Sequence, residues 1–402
     1  MHKEEATDSD SPKILGVRSN VFYLGLVSFL ADVSSEMVYP FVTLFLVTVL
    51  HVSAVPVGFI EGLAESTASI SAMFSGWLSD RLGARKALIT AGYGVGILSR
   101  PLVALAGSWP VVAGLRFFDR IGKGVRTAPR DALIADSVPK KERGRAFGVH
   151  RAMDTMGAIV GPALAFVVLF FAGKSNYRAL FILAGIPAAA AVLLVFVKVK
   201  EVRVRHDGPP PKVSFAAFSG HFRVFVLISV IFALGNSSNV FLILKARELG
   251  FSTLAIAALY MTFNAVYAAA AIPAGILSDK LGRRTVLMMG YLSFAAVYAG
   301  FAFAREAWMM WPLFLLYGAY PGLAEGVQRA YAADLAPRHA RATALGGYYF
   351  LTGLAAFPAS LAGGLLWHYV NPAATFWYGA LGALLAAMLL FIFLPAKELA
   401  DD

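Results

Sequence analysis

Long apolar runs alternate with short polar breaks along the whole chain, and each run is long enough to cross the hydrocarbon core of a bilayer, which takes about 20 residues of helix. Runs can be drawn near 20–48, 54–78, 87–107, 110–136, 146–171 and 177–198, then near 222–245, 254–278, 285–304, 308–334, 343–366 and 372–395. The pattern predicts an all-α integral membrane protein with twelve transmembrane helices. Between the two sets lies a charged stretch from Lys198 to Lys212 that contains Pro209-Pro210-Pro211, which cannot continue a helix. The expected organisation is a tail over 1–19, a six-helix bundle over 20–198, a linker over 199–221, a second six-helix bundle over 222–395 and a tail over 396–402.

The two sets repeat one another. Gly76-Trp77-Leu78-Ser79-Asp80-Arg81-Leu82-Gly83 closes the second run, and Gly275-Ile276-Leu277-Ser278-Asp279-Lys280-Leu281-Gly282 closes the eighth, 199 positions later. Ala135-Asp136-Ser137-Val138-Pro139 after the fourth run is echoed by Ala333-Asp334-Leu335-Ala336-Pro337 after the tenth, offset by 198. A period of half the chain, with matching copies at matching places, predicts one membrane bundle duplicated. Glycine permits the tight turn that so short a loop needs, and the Arg and Lys beside it suit lipid headgroups or helix C-termini. Asp80 and Asp279 would face helix N-termini or basic partners. An ordinary basic loop would account for the Arg and Lys but not for the ordered Gly, Asp and Gly.

Composition agrees with the pattern, at 58% hydrophobic and 15% charged over 402 residues. The net charge of +11 would suggest nucleic acid in a soluble protein. Here about 22 Lys and Arg fall on the side that holds both termini, both motif copies and the linker, against about 5 on the other, so the positive-inside rule places both termini in the cytoplasm of a cell membrane. Glu4, Glu5, Asp8 and Asp10 precede the first run, unlike the basic start of a cleaved signal, so the first helix itself is expected to begin insertion. The chain has no cysteine, which excludes disulfides, thiolate metal sites and cysteine nucleophiles.

On these motifs the chain resembles the major facilitator superfamily, whose signature loop between helices two and three reads Gly, Asp-Arg, Gly and a basic pair. The resemblance covers all twelve segments. The first copy has Ala84 before Arg85-Lys86, whereas the second has Gly282-Arg283-Arg284 as the family expects. It implies alternating access, residues 1–200 rocking against 213–402, with no cofactor and no catalytic residue. A monomer is expected, with a small-molecule solute, protons and membrane lipids as its partners. In the family this loop latches the halves, so Gly76, Asp80, Arg81, Gly83, Gly275, Asp279, Lys280, Gly282 and Arg283 become gating candidates, with Asp136 and Asp334. Leu115-Arg116-Phe117-Phe118-Asp119-Arg120-Ile121-Gly122 fits a second signature, in which the arginine, here Arg116, is linked to proton coupling. Gly157-Ala158-Ile159-Val160-Gly161-Pro162 resembles the core of the exporters' glycine-proline signature without its trailing glycines, which adds Gly161 and Pro162 to the gating set and favours export.

Ionisable residues at membrane depth cost at least about 2.5–3.5 kcal/mol each at a helix centre unless they are paired or wet. The fourth segment carries Arg116, Arg120, Lys123, Arg126 and Arg130, and spacings of three and four keep them on one broad face. Carboxylates come from the same half: Asp32 and Glu36 four apart, Glu61 and Glu65 four apart, then Asp119, Asp131 and Asp154. With Arg100 and Arg151 the set is near neutral, as an internal ion-pair network would be. A carboxylate in such surroundings can become a proton carrier, and loss of one negative charge frees a basic partner for another contact. Asp32, Glu36 and Asp154 with Arg116 are the coupling candidates, and Glu61 and Glu65 join the charge network. Asp32-Val33-Ser34-Ser35-Glu36 precedes Tyr39-Pro40, where the first helix can bend and line a pathway.

The second half replaces those carboxylates by amides, Gly235-Asn236-Ser237-Ser238-Asn239, and adds Tyr260, Asn264, Tyr267, Tyr317, Tyr320, Gln328, Tyr331, Tyr348 and Tyr349 with one charge pair, Glu325 and Arg329. An aromatic and amide lining suits an organic molecule. The expected solute contacts are Arg120, Lys123, Arg126, Arg130, Ser35, Tyr39, Asn236, Asn239, Asn264, Tyr317, Glu325, Gln328 and Arg329.

These features point first to proton-coupled export of an amphiphilic organic solute of anionic or zwitterionic character. A second reading moves iron, another divalent metal or a metal chelate such as a siderophore, since oxygen ligands on the first two helices suit a hard cation. The segment Asp32 to Met37, with Gly122-Lys123-Gly124 through Arg130-Asp131, is similar to a bacterial permease subgroup that includes iron-associated members. No resident metal site is expected. A lipid-modifying membrane enzyme is a third reading, against which stand the duplication and the lack of hydrolase or phosphate-loop signatures in suitable context. A non-transporting receptor is a fourth. His150 beside Arg151 is either a headgroup contact or a proton shuttle.

Overall fold

The computed structural model describes residues 13–14, 16–83, 85–138, 143–173, 176–202, 219–336 and 341–394. Ala84, most of the linker and both ends of the chain lie outside that set. Pro139 and Pro337, and the side chains of Asp80, Arg81, Asp279 and Ala333, also fall outside it. The described residues are all-α apart from one antiparallel hairpin, β1 (Lys13–Ile14) with β2 (Val17–Arg18), in which Lys13 pairs with Arg18.

The helices, in chain order, are α1 (Ser19–Thr48), α2 (Ala54–Leu82), α3 (Arg85–Leu102), α4 (Trp109–Asp136), α5 (Arg143–Ala172), α6 (Tyr177–Leu183) and α7 (Gly185–Lys198). They continue as α8 (Gly220–Gly235), α9 (Val240–Glu248), α10 (Thr253–Leu281), α11 (Arg283–Phe303), α12 (Met310–Leu335), α13 (Arg341–Tyr369) and α14 (Pro372–Phe393). Among the described residues nine helical stretches are long and apolar enough to cross a membrane, counting α6 with α7 and α8 with α9 as single spans. The three remaining long helices, α2, α4 and α12, interrupt their apolar runs with charge.

The chain forms two compact units, residues 1–45 with 67–210 and residues 46–66 with 211–402. In the first, α3 and α4 approach so closely that a Cβ on either Gly92 or Gly122 would stand 2.6 Å from the other's carbonyl oxygen, a contact that suits packing without a hydrophobic drive in lipid. One end of this unit is filled by Val17, Val21, Leu24, Ile89, Leu133, Ile134, Val195 and Val199. Asn20 closes that end: its amide donates to Ser137 Oγ (2.7 Å) and to the Lys200 carbonyl (3.2 Å), and accepts from the Lys200 N–H (3.0 Å).

In the second unit the first half of α2 lies on α13, where a Cβ at Gly62 would meet the Phe357 carbonyl at 2.8 Å and Ser66 Oγ donates to the Gly353 carbonyl at 2.9 Å. Its core is aromatic, with Phe232 stacked on Tyr291 at 4.1 Å and Phe294 on Tyr298 at 3.9 Å between ring centroids. The run drawn as one helix over 222–245 is broken at residues 236–239. Asn and Ser side chains compete with the helical ladder there. Ser360 Oγ accepts the Ser238 N–H, and Tyr298 OH donates to the Ser237 carbonyl.

Candidate functional site

The first unit gathers most of the charged candidates where α1, α3, α4 and α5 meet. Gly157 brings α5 onto α1, since a Cβ there would lie 2.6 Å from the Phe29 carbonyl and 2.9 Å from Asp32 Cβ. Gly161, one turn on and just before Pro162, meets Glu36 Cβ at 2.7 Å in the same test. The two helices run together with Asp32 opposite Asp154, close enough for a hydrogen bond between the two carboxyl groups when one of them carries a proton. Such a bond needs a proton between the two oxygens. Arg151 holds the outer oxygen of Asp154 at 3.1 Å, and Lys123 and Arg126 of α4 lie within electrostatic range of Asp32.

The face predicted on α4 is real but divided in its uses. Arg126 is buried with its guanidinium 4.2 Å from the centroid of the Tyr93 ring. Arg130 pairs with Asp131 at 3.0 Å and donates to Ser28 Oγ at 3.1 Å. Arg116 is buried 5.5 Å from the Tyr39 ring centroid. Glu36 faces Lys123, Arg120, Arg116 and Arg100. Arg100 pairs with Asp119 (3.1 Å) and donates to the Ala31 carbonyl (3.1 Å), while Ser99 Oγ donates to the same carboxylate. A small cavity opens here, lined by Ser35, Ser99, Arg100, Arg116 and Asp119. Ser35 itself donates to the Asp32 carbonyl at 3.2 Å. Glu61, fully buried, and Glu65 belong to the stretch of α2 that goes with the other compact unit.

The second unit holds an amide and tyrosine cluster. Asn236 donates to Tyr320 OH (3.0 Å), Tyr317 OH donates to Asn239 Oδ1 (2.7 Å) and Gln328 donates to Tyr291 OH (2.7 Å). These bonds fasten the broken helix and the aromatic core. Asn264 differs, because among the described residues its Nδ2 is buried with no hydrogen-bond partner. Glu325 accepts from Tyr267 OH at 3.0 Å and lies 3.7 Å from Arg329, both charged side chains about half exposed.

The repeated motifs end their helices alike. Gly83 and Gly282 sit at φ of 59° and 86°, a left-handed backbone open to glycine at little cost. Gly76 packs on Ala128 of α4, Gly275 meets open space, and Lys280 is exposed. Asp136 and Asp334 each pair with the first arginine after the motif, Arg85 and Arg283. Ser28 and Tyr93 carry no sequence signature of their own, whereas Arg85 belongs to the basic pair of the first motif copy. The signal available for Ser28 was its four-residue spacing to Asp32, matched by that of His150 to Asp154.

The profile of the Major Facilitator Superfamily matches residues 24–234 and 224–401. The chain belongs to the Major Facilitator Superfamily. It is a multi-pass membrane protein of a transporter family, with the all-α transporter fold. It is 38% identical over 384 residues to an uncharacterized MFS-type transporter of Methanocaldococcus jannaschii, covering 92% of this chain and 94% of that one. It is 26% identical over 329 residues to the cis,cis-muconate transport protein of Acinetobacter baylyi, covering 77% and 79%. The crystal structure of a POT family transporter in complex with 5-aminolevulinic acid superposes with a TM-score of 0.81 at 12% identity, over 96% of this chain and 98% of that one.

Proposed function

We propose that this superfamily member is a proton-coupled secondary transporter that works by alternating access and exports an amphiphilic organic solute across the cell membrane, its two termini in the cytoplasm. The observation that carries the reading is the Asp32–Asp154 carboxyl contact beside the basic face of α4. A proton on that pair and a solute charge both act on the same basic residues, so each changes the affinity for the other by the same factor.

The sign of that coupling bears on the solute. Export driven by proton entry requires proton and solute to compete. A purely anionic solute on Lys123, Arg126 and Arg130 would be helped by a proton on the carboxyl pair, which suits cotransport. A zwitterion whose cationic end takes the ionised Asp32–Asp154 pair, while its anionic end takes the α4 face, would be displaced by the proton. Of the two charge types, the zwitterion fits export. The muconate carrier among the relatives supports an organic solute.

The test is solute flux in proteoliposomes under an imposed pH gradient, with cis,cis-muconate as a dianionic probe and phenylalanine as a zwitterionic one. The reading expects gradient-driven phenylalanine flux that D32N and D154N each reduce at least tenfold, with muconate slower. Flux equal with and without the gradient would contradict it.

A further inference from the structure

The polar contacts of α1 and α5 form a ladder with two rungs. Ser28 Oγ lies 2.9 Å from His150 Nε2, and one turn further along both helices Asp32 meets Asp154. The pairs share the same offset because Ser28 and Asp32, like His150 and Asp154, are four residues apart and stack on one helix face. His150 therefore points into the bundle. It is buried at 5% exposure.

Among the described residues Ser28 Oγ has three polar neighbours, each on a different helix: His150 Nε2 on α5, Tyr93 OH on α3 at 3.1 Å and Arg130 Nη1 on α4 at 3.1 Å. A hydroxyl gives one hydrogen and accepts two. Arg130 always donates, so one lone pair is taken. With a neutral imidazole whose Nε2 lacks hydrogen, Ser28 donates to the ring and accepts from Tyr93. With an imidazolium both ring nitrogens donate, so Ser28 accepts from His150 and Arg130 and must give its hydrogen to the Tyr93 oxygen. Protonation of His150 thus reverses the Ser28–Tyr93 bond.

We propose that His150 is a proton-relay residue: it receives the proton that leaves the Asp32–Asp154 pair and holds it before release at the end of the bundle nearer β1. The inference rests on the proton-coupled reading above. The transfer balances simply, as the carboxyl pair loses one proton and becomes a dianion while the neutral imidazole gains that proton and becomes imidazolium. Arg130 and Asp131 from α4, and Arg151 and Asp154 from its own helix, set the field at the ring, while Ser28 from α1 supplies its neutral polar contact and is itself in contact with Tyr93 from α3. The ladder also links the relay to shape, because Tyr93 carries the Arg126 guanidinium on its face.

Nitrogen NMR of the full-length protein in lipid bilayers, labelled at histidine and assigned by loss of one signal in H150Q, tests this without any solute. The relay predicts that His150 passes from one neutral tautomer to imidazolium as pH falls, and that D154N and D32N each shift its midpoint by about half a pH unit or more. S28A is expected to change the neutral tautomer ratio. A ring fixed in one form across the range, or a midpoint unmoved in both Asn variants, overturns the proposal. Either Asn variant alone suffices if the other fails to fold. In proteoliposomes H150Q, which keeps a polar partner for Ser28, is expected to lose gradient-driven phenylalanine flux at least tenfold while solute exchange without a gradient persists. Wild-type flux indifferent to the gradient would sink the transport reading and leave the NMR result to decide the relay.

Discussion

Arg85 closes on Asp136 at the start of α3 and the end of α4, and 198 positions later Arg283 pairs with Asp334 in the same relationship. The duplication is thus kept as a contact as well as a motif. It also explains the extra Ala84, since the arginine that matters is the first one after the glycine turn and its partner keeps the same register. The copies differ in burial. The first pair is 6% and 15% exposed, the second 21% and 46%.

Removing one partner of a buried pair strands the other charge, at roughly 3 kcal/mol or more, whereas exposed pairs contribute about 0–1 kcal/mol. R85A and D136N are expected to lower the unfolding midpoint of the purified protein clearly, and R283A and D334N only slightly. Equal losses in both halves would contradict the assignment.

Arg100 joins α3 to α4 through Asp119 and to α1 through the Ala31 carbonyl. R100A is expected to cost about 3–5 kcal/mol by leaving Asp119 buried and unpaired. The double variant R100A/D119A is expected to be more stable than R100A alone. A denaturation series on the four proteins of that cycle checks it, and strict additivity would argue against the pair.

Gly157 sets the separation of α1 and α5. G157V has backbone as its nearest obstacle, so it is expected to cost about 1–3 kcal/mol and to abolish proton-linked flux by parting Asp32 from Asp154. Gly94, on α3, faces open space. G94A is expected to be tolerated in the same stability and flux assays.

Asn20 holds both backbone groups of Lys200 and the hydroxyl of Ser137. N20A is expected to lose about 2 kcal/mol, from hydrogen bonds contributing about 0.5–1.5 kcal/mol each. Thermal unfolding measures the loss, and faster tryptic cleavage after Lys200 is expected alongside it.

Much of this was legible in the chain itself. Apolar runs located the helices to within a few residues at most ends, and the three-and-four spacing on α4 placed Arg126 and Arg130 inside a bundle rather than in lipid. The pairing of Asp32 with Asp154 was not legible, because contact between helices depends on glycines such as Gly157 whose role appears only when a neighbour lies against them. The break at 236–239 was hidden inside an apolar run, where two Asn and two Ser do not lower hydropathy enough to mark a boundary. His150 was ambiguous for a related reason: its position near a helix start suits a headgroup contact, and only the Ser28 rung shows that it points inward. The β1–β2 hairpin is too short for any alternation to register.

Difference infrared spectroscopy of the protein in lipid reads whether Asp32 and Asp154 share a proton. A shared proton gives a carbonyl band from a protonated carboxyl at neutral pH that disappears in D32N and in D154N alike. Absence of that band from the wild type, or its persistence in both variants, would mean that the two carboxyl groups share no proton.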